Sequence, residues 1–232
     1  MKSKMNKLII INILIGSLNK VLLKVNKLIE IGGHRKKFYL DGNVINKKFD
    51  LYKVPHQSVA LDIGSGPIPK NPFKADLVFG ADLRTNEANN VLYADLASGK
   101  LPFDDNNFDY VSAYDVLEHI QRVDTIDGKV RFPLIQLMNE IFRVLKPGGV
   151  FYNIQPCYPC KEAFQDPTHV NIMTEDTINL YFCEPSWARI YGYEGSFVML
   201  DDGWLGGEYF SFIKKSHDLP MLNFEFVQKH TD

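Results

Sequence analysis

The residues best able to do chemistry in this chain of 232 recur at regular points along its middle. Asp62 sits inside the apolar run Val59-Ala60-Leu61-Asp62-Ile63 and is followed at once by Gly64-Ser65-Gly66. Asp82 closes a second apolar run, Leu77 to Ala81, and Asp95 follows a third, Val91-Leu92-Tyr93-Ala94. Glycines at such a turn let a ligand approach the backbone where a Cβ would clash. A carboxylate about 20 residues further on is spaced to accept hydrogen bonds from ribose hydroxyls. Downstream stand two imidazoles, His119 and His169, the latter in Gln165-Asp166-Pro167-Thr168-His169. Imidazole titrates near neutrality and suits removal of a proton from an attacking hydroxyl. Asp166 is spaced to hold the tautomer of His169, as carboxylates do in hydrolase triads. His169 is the favoured base, and His119 is a second candidate or lines the site.

These residues need elements to carry them. Short apolar runs bounded by glycine read as buried parallel strands, here Val59–Ile63, Leu77–Ala81, Val91–Tyr93, Phe108–Tyr114 and Val150–Ile154. Pro133 to Leu145 has helical spacing in Leu134, Leu137, Ile141 and Leu145, and Lys146-Pro147-Gly148-Gly149 stops it. Strands alternating with helical segments indicate a parallel α/β sheet. Pro67, Pro69 and Pro72 exclude a regular helix after the first strand. No helix N-terminus is then available there for a pyrophosphate, which favours a nucleoside ligand without phosphates over a dinucleotide.

The chain is 45% hydrophobic with net charge −2, as expected for one globular domain with a sizeable core and an appendage. Cys157, Cys160 and Cys183 make no disulfide framework, so a reducing cytoplasm is the expected compartment. Cys157-x-x-Cys160 falls short of a two-pair zinc pattern, and no metal is expected. Residues 1–53 carry twelve Lys or Arg against Glu30, Asp41 and Asp50. Within them Leu14, Leu18, Val21, Val25 and Leu28 share one face of an amphipathic helix. It is interrupted too early for a membrane span, and no small-x-small cleavage site follows. This helix is read as packing on the domain, with peripheral contact at an anionic inner-membrane face as the alternative. Residues 54–232 are the expected main domain, with 156–222 as an acceptor-side segment. Aromatics with glycines there, Tyr181 to Phe212, suit a cover over rings or sugars. Nothing interleaves aromatics with the basic arm, so no nucleic-acid partner is expected.

Taken in order, Leu61-Asp62-Ile63-Gly64-Ser65-Gly66, Asp82, Ala94-Asp95-Leu96, Phe108-Asp109-Tyr110-Val111, Val116-Leu117-Glu118-His119 and Leu145-Lys146-Pro147-Gly148-Gly149 resemble the class I S-adenosylmethionine-dependent methyltransferases. The likeness covers about Ser58 to Pro156 and is nearest the branch acting on small molecules and sugars. It implies a Rossmann-like, seven-stranded, mostly parallel sheet with helices on both faces and an antiparallel last strand. The final strands are expected near Ser196–Leu200 and Asn223–Lys229. It implies S-adenosyl-L-methionine as cofactor, with Gly64, Ser65 and Gly66 at its amino-acid tail and Asp62 orienting the loop. Asp82 and Leu83 would meet the ribose, Asp95 and Leu96 the adenine, and Ser112 and Tyr114 the methionine portion. Asp-Pro-Thr-His recurs in sugar-modifying members.

The resulting expectation is O-methylation of a sugar, glycan or other small-molecule acceptor by a histidine base. The alternatives are N- or C-methylation of a quinone-like or lipid-like metabolite at a membrane, and a cofactor-binding protein without turnover.

Overall fold

The computed structural model describes residues 42–216, which fall within the unit Tyr39–Asp232. The amphipathic helix at 14–28 and the strand expected at 223–229 lie outside the described residues.

The strands are β1 (Val59–Ile63), β2 (Leu77–Asp82), β3 (Val91–Tyr93), β4 (Phe108–Tyr114), β5 (Asp124–Ile126), β6 (Lys129–Arg131), β7 (Leu145–Tyr158), β8 (Met173–Thr174), β9 (Phe197–Leu205) and β10 (Glu208–Lys215). The main sheet runs β3-β2-β1-β4-β7-β10-β9, with the short β8 beside β7 and the hairpin β5-β6 apart. From β3 to β7 every pairing is parallel. β10 enters antiparallel between β7 and β9.

Among the described residues the last strand is β10, a strand that the sequence reading did not place. Tyr209, Phe210, Phe212 and Ile213 are buried, Phe210 and Phe212 in one core cluster and Tyr209 and Ile213 in the other. A strand buried on both faces loses the in-out alternation that marks a strand with one face in water, so it reads as an aromatic-rich cover instead.

Both faces of the sheet are packed. Leu61, Ile63, Val111 and Ala113 meet Leu134, Leu137, Met138 and Ile141 of the helix α2, Pro133–Val144. Ala60, Tyr110 and Tyr152 meet Ile45 and Phe49 of α1, Gly42–Leu51. The Phe49 ring stands edge-on to Tyr152, Phe73 and Phe212 at 4.8, 4.9 and 5.1 Å. Burying such a side chain is worth about 1.5–3 kcal/mol. α1 lies inside the stretch 1–53 read above as the arm, and Ile45 and Phe49 join this part of it to the sheet.

Between β1 and β2 the chain forms no helix, as the three prolines require. Polar side chains hold this loop instead. Asn71 brackets Ala75, accepting from its N–H at 2.8 Å and donating to its carbonyl at 2.9 Å. At the far end of α2, Leu145 already pairs with Phe108, so β7 begins directly where the helix stops and runs well past the expected Val150–Ile154. Two short helices, α3 (Glu162–Gln165) and α4 (Thr177–Phe182), fill the passage from β7 to β9.

Candidate active site

The carboxyl ends of β1, β2, β3 and β4 open onto a cleft of about 600 Å³, within the range of small-ligand sites. Gly64, Asp82, Leu83, Asp95, Leu96 and His119 line it together with Arg84, Ala94, Ala97, Asp115, Val116 and Ile120. Six residues singled out in the sequence thus meet in one crevice.

Local geometry explains their positions. Gly64 has φ +63°, and a Cβ there would lie 2.4 Å from Val116 Cγ2. Only glycine combines that left-handed backbone with that close approach. The Gly64 N–H donates to the Ala81 carbonyl at 2.7 Å, tying the turn to β2. The Gly66 N–H donates to Asp82 Oδ2 at 2.9 Å, and the Arg84 N–H to Oδ1 at 3.1 Å. Asp82 is fixed by these two amides and keeps carboxylate lone pairs for a ligand. Asp95 caps the short turn Leu96–Ser98, its Oδ1 accepting from the Ala97 N–H at 3.0 Å.

Asp62, Ser65, Gly66, Ser112 and Tyr114 are not among the lining residues. Alternation along β4 puts Ser112 and Tyr114 on the opposite face from Val111 and Ala113. Asp62, paired with Ser112 in the register, is buried beneath the proline loop. Its carboxylate accepts from Ser112 Oγ at 2.7 Å and from the Lys70 N–H at 2.8 Å. Burial pushes the Asp62 carboxyl up to about 6 against the pull of those two bonds. Lys70 Nζ lies over the Tyr114 ring at 4.5 Å. This group holds the loop that carries Gly66 rather than facing the cleft.

At the other rim the histidines meet. The segment after α3 docks on the end of β4, with the N–H groups of Val170 and Asn171 both donating to the Glu118 carbonyl at 3.0 and 2.9 Å. The rings of His119 and His169 then stand edge-to-face at 4.9 Å. His119 Nδ1 faces the Thr168 carbonyl at 3.2 Å and Thr168 Oγ1 at 3.1 Å. Thr168 Oγ1 donates to Asp166 at 2.7 Å, so it accepts from His119. His169 Nδ1 faces the Ala163 carbonyl at 3.2 Å. A carbonyl only accepts, so each ring carries a proton on Nδ1, and the neutral tautomer this selects has its lone pair on Nε2.

The sequence pairs Asp166 with His169, and the geometry redistributes that role. Asp166 lies 3.9 Å from His169 Nε2, beyond hydrogen-bond range. It orients His119 through Thr168 instead, while a backbone carbonyl sets the tautomer of His169.

Close to both rings lies Glu118, which sequence reasoning left without a role. It is 1% exposed, and among the described residues neither carboxylate oxygen has a hydrogen-bond partner beyond the residue's own backbone. Burial, with the nearby charges of Asp115, Glu208 and Asp166 adding to it, pushes its carboxyl up to about 8. Burial and a hydrogen bond shared with Asp115 likewise hold Glu208 above the ordinary carboxylate range. The available signal for Glu118 was an acid between Leu117 and His119 at a strand end, where α/β sheets bind ligands.

A second cavity, about 570 Å³, opens beside Asn171 and is lined largely by apolar groups, among them Val123, Phe132, Leu134, Ile135, Tyr181, Phe182 and Tyr191. Three of the aromatics read as a cover line it. Tyr193, Tyr209, Phe210 and Phe212 are core instead.

Residues 61–153 match the family model described as a methyltransferase domain. A 51-residue stretch is 45% identical to the sterol 24-C-methyltransferase of Schizosaccharomyces pombe, covering 22% of this chain and 11% of that protein. In fold, the chain resembles an S-adenosylmethionine-dependent methyltransferase from Aquifex aeolicus (TM-score 0.50, 15% identity, 75% of this chain and 94% of the other). It likewise resembles a chain of the Haloferax volcanii complex between the Trm112 methyltransferase activator and a methyltransferase (TM-score 0.50, 14% identity, 75% and 90%). Residues 61–153 thus match a methyltransferase-domain family, and the sheet that carries them has the fold seen in S-adenosylmethionine-dependent methyltransferases.

Proposed function

We propose that the protein transfers the methyl group of S-adenosylmethionine to a hydroxyl of a sugar, glycan or other small-molecule acceptor presented at the His119–His169 rim. The observation that carries this reading is the imidazole pair itself. Both Nδ1 atoms face backbone carbonyls, both Nε2 lone pairs are left for a proton, and His119 lines the cleft.

The cofactor supplies a methyl carbon already activated by a positively charged sulfur. The protein's share is to bind, align and deprotonate. In this reading Asp82 takes the ribose hydroxyls and Asp95 the adenine amine, with Leu96 against the ring. The Gly64 turn leaves room for the amino-acid tail, and Asp62 with Ser112 steadies the loop beneath it. The acceptor oxygen attacks the methyl carbon, the carbon–sulfur bond breaks to leave a neutral thioether, and the acceptor proton passes to an imidazole Nε2. His119 is the better placed ring, with His169 beside it.

A second reading has one observation behind it. The apolar cavity beside Asn171 suits a lipid-like or quinone-like acceptor, methylated at carbon or nitrogen. Release of S-adenosylhomocysteine, screened across sugar-nucleotide, glycan, quinone and sterol pools, tests both. The first reading expects turnover with hydroxyl acceptors, falling at least a hundredfold in His119→Ala. Turnover confined to apolar acceptors and indifferent to that substitution would replace it with the second. Asp82→Ala is expected to weaken S-adenosylhomocysteine at least tenfold by calorimetry, and unchanged affinity would remove Asp82 from the cofactor site.

A further inference from the structure

The geometry points to a divalent transition-metal site formed by Glu118, His119 and His169 at the acceptor end of the cleft. One nitrogen from each ring and one Glu118 oxygen lie within 4.8 Å of one another. Two imidazoles and a carboxylate with positions left open are the ligand set of Fe(II), Mn(II) and Zn(II) centres that take an oxygen ligand.

Two further features fit an ion here. Metal-binding histidines donate their other ring N–H to a carbonyl or carboxylate, which fixes the ring and frees the second nitrogen. His119 faces the Thr168 carbonyl this way, and His169 the Ala163 carbonyl. Glu118 is the second feature. It is 1% exposed, and among the described residues no other residue hydrogen-bonds its carboxylate, although a buried carboxylate is costly unless something pairs with it. A cation between the rings would supply that partner. Bound ligands about 2.1 Å from one ion stand about 3.4 Å apart in tetrahedral geometry, so loading would draw the three groups slightly inward.

The role of the ion rests on the reading that the acceptor meets this rim, whereas the site itself does not. An acceptor hydroxyl on the ion's open position would lose its proton to solvent more readily, with the rings then serving as ligands. In the stripped protein the imidazole accepts that proton directly.

The test uses the untagged full chain, stripped with a chelator and titrated with Mn²⁺ and Zn²⁺ by calorimetry. S-adenosylhomocysteine is titrated in parallel. One saturable ion per chain is expected, weakened at least tenfold in Glu118→Gln and in His169→Gln, with circular dichroism confirming that both variants fold. Co²⁺ substitution should give a visible absorption band that both variants lose. Absence of saturable binding, or binding unchanged in both variants, would overturn the site. Loss of S-adenosylhomocysteine binding in the wild type would count against the cofactor reading alone.

Discussion

Replacing Asp62 by Asn asks how far burial outweighs hydrogen bonding beneath the proline loop. Asp62 accepts two good hydrogen bonds, from Ser112 Oγ and the Lys70 N–H, yet its carboxyl is raised from 3.8 to about 6 because burial dominates. The folded protein therefore holds this proton more tightly than the unfolded chain. Stability from that preference is fully present below pH 3.8 and is lost as the pH climbs to about 6, staying level beyond. At 1.36 kcal/mol per pH unit, the loss is about 3 kcal/mol. Asn has the same shape and does not ionise, so it lacks this term. It also cannot accept both bonds, which imposes a nearly constant penalty of about 1–3 kcal/mol. The readout is thus the change in the difference between the two proteins. Thermal unfolding of wild type and Asp62→Asn from pH 3.5 to 7.5 is expected to show Asn gaining roughly 6–12 °C on the wild type across that window, at about 2–4 °C per kcal/mol. A melting-point difference that stays flat with pH would refute the argument that burial governs this carboxyl.

Three other outcomes are expected. Gly64→Ala should cost roughly 2–4 kcal/mol in chemical denaturation, from positive-φ strain and the clash with Val116, and weaken S-adenosylhomocysteine at least tenfold by calorimetry. Phe212→Ala removes a fully buried ring packed against Phe49 and Tyr152 and should cost about 3–5 kcal/mol in the same denaturation assay. Thr168→Val cuts the hydroxyl link from Asp166 to His119. It should lower kcat about tenfold in a methyl-transfer assay while leaving cofactor affinity unchanged.

The parallel half of the sheet was legible because each strand ends in its own punctuation. Val59–Ile63 runs into Gly64, Leu77–Ala81 into Asp82, and Phe108–Tyr114 keeps the expected bounds. The antiparallel half was not, since Phe210 and Phe212 are buried on one face while Tyr209 and Ile213 are buried on the other. Residue type could nominate Asp82 and Asp95 for the cleft, but not separate them from Asp62. Which face a carboxylate takes depends on register, and Asp62 turns toward Ser112 because β1 and β4 align those two residues. Glu118 and the Thr168 link were invisible for a different reason. They arise where segments some fifty residues apart dock through backbone carbonyls, and a carbonyl has no letter in the sequence.

The double acceptance by the Glu118 carbonyl has a kinetic consequence. One oxygen anchors the Val170–Asn171 strap, and the next residue, His119, forms part of the wall of the cleft. The wall of the cleft and the strap that carries His169 are thus tied through a single carbonyl. If the nucleoside takes the cleft as proposed, initial-rate kinetics should show a compulsory order with the nucleoside first, and random loading would refute the coupling.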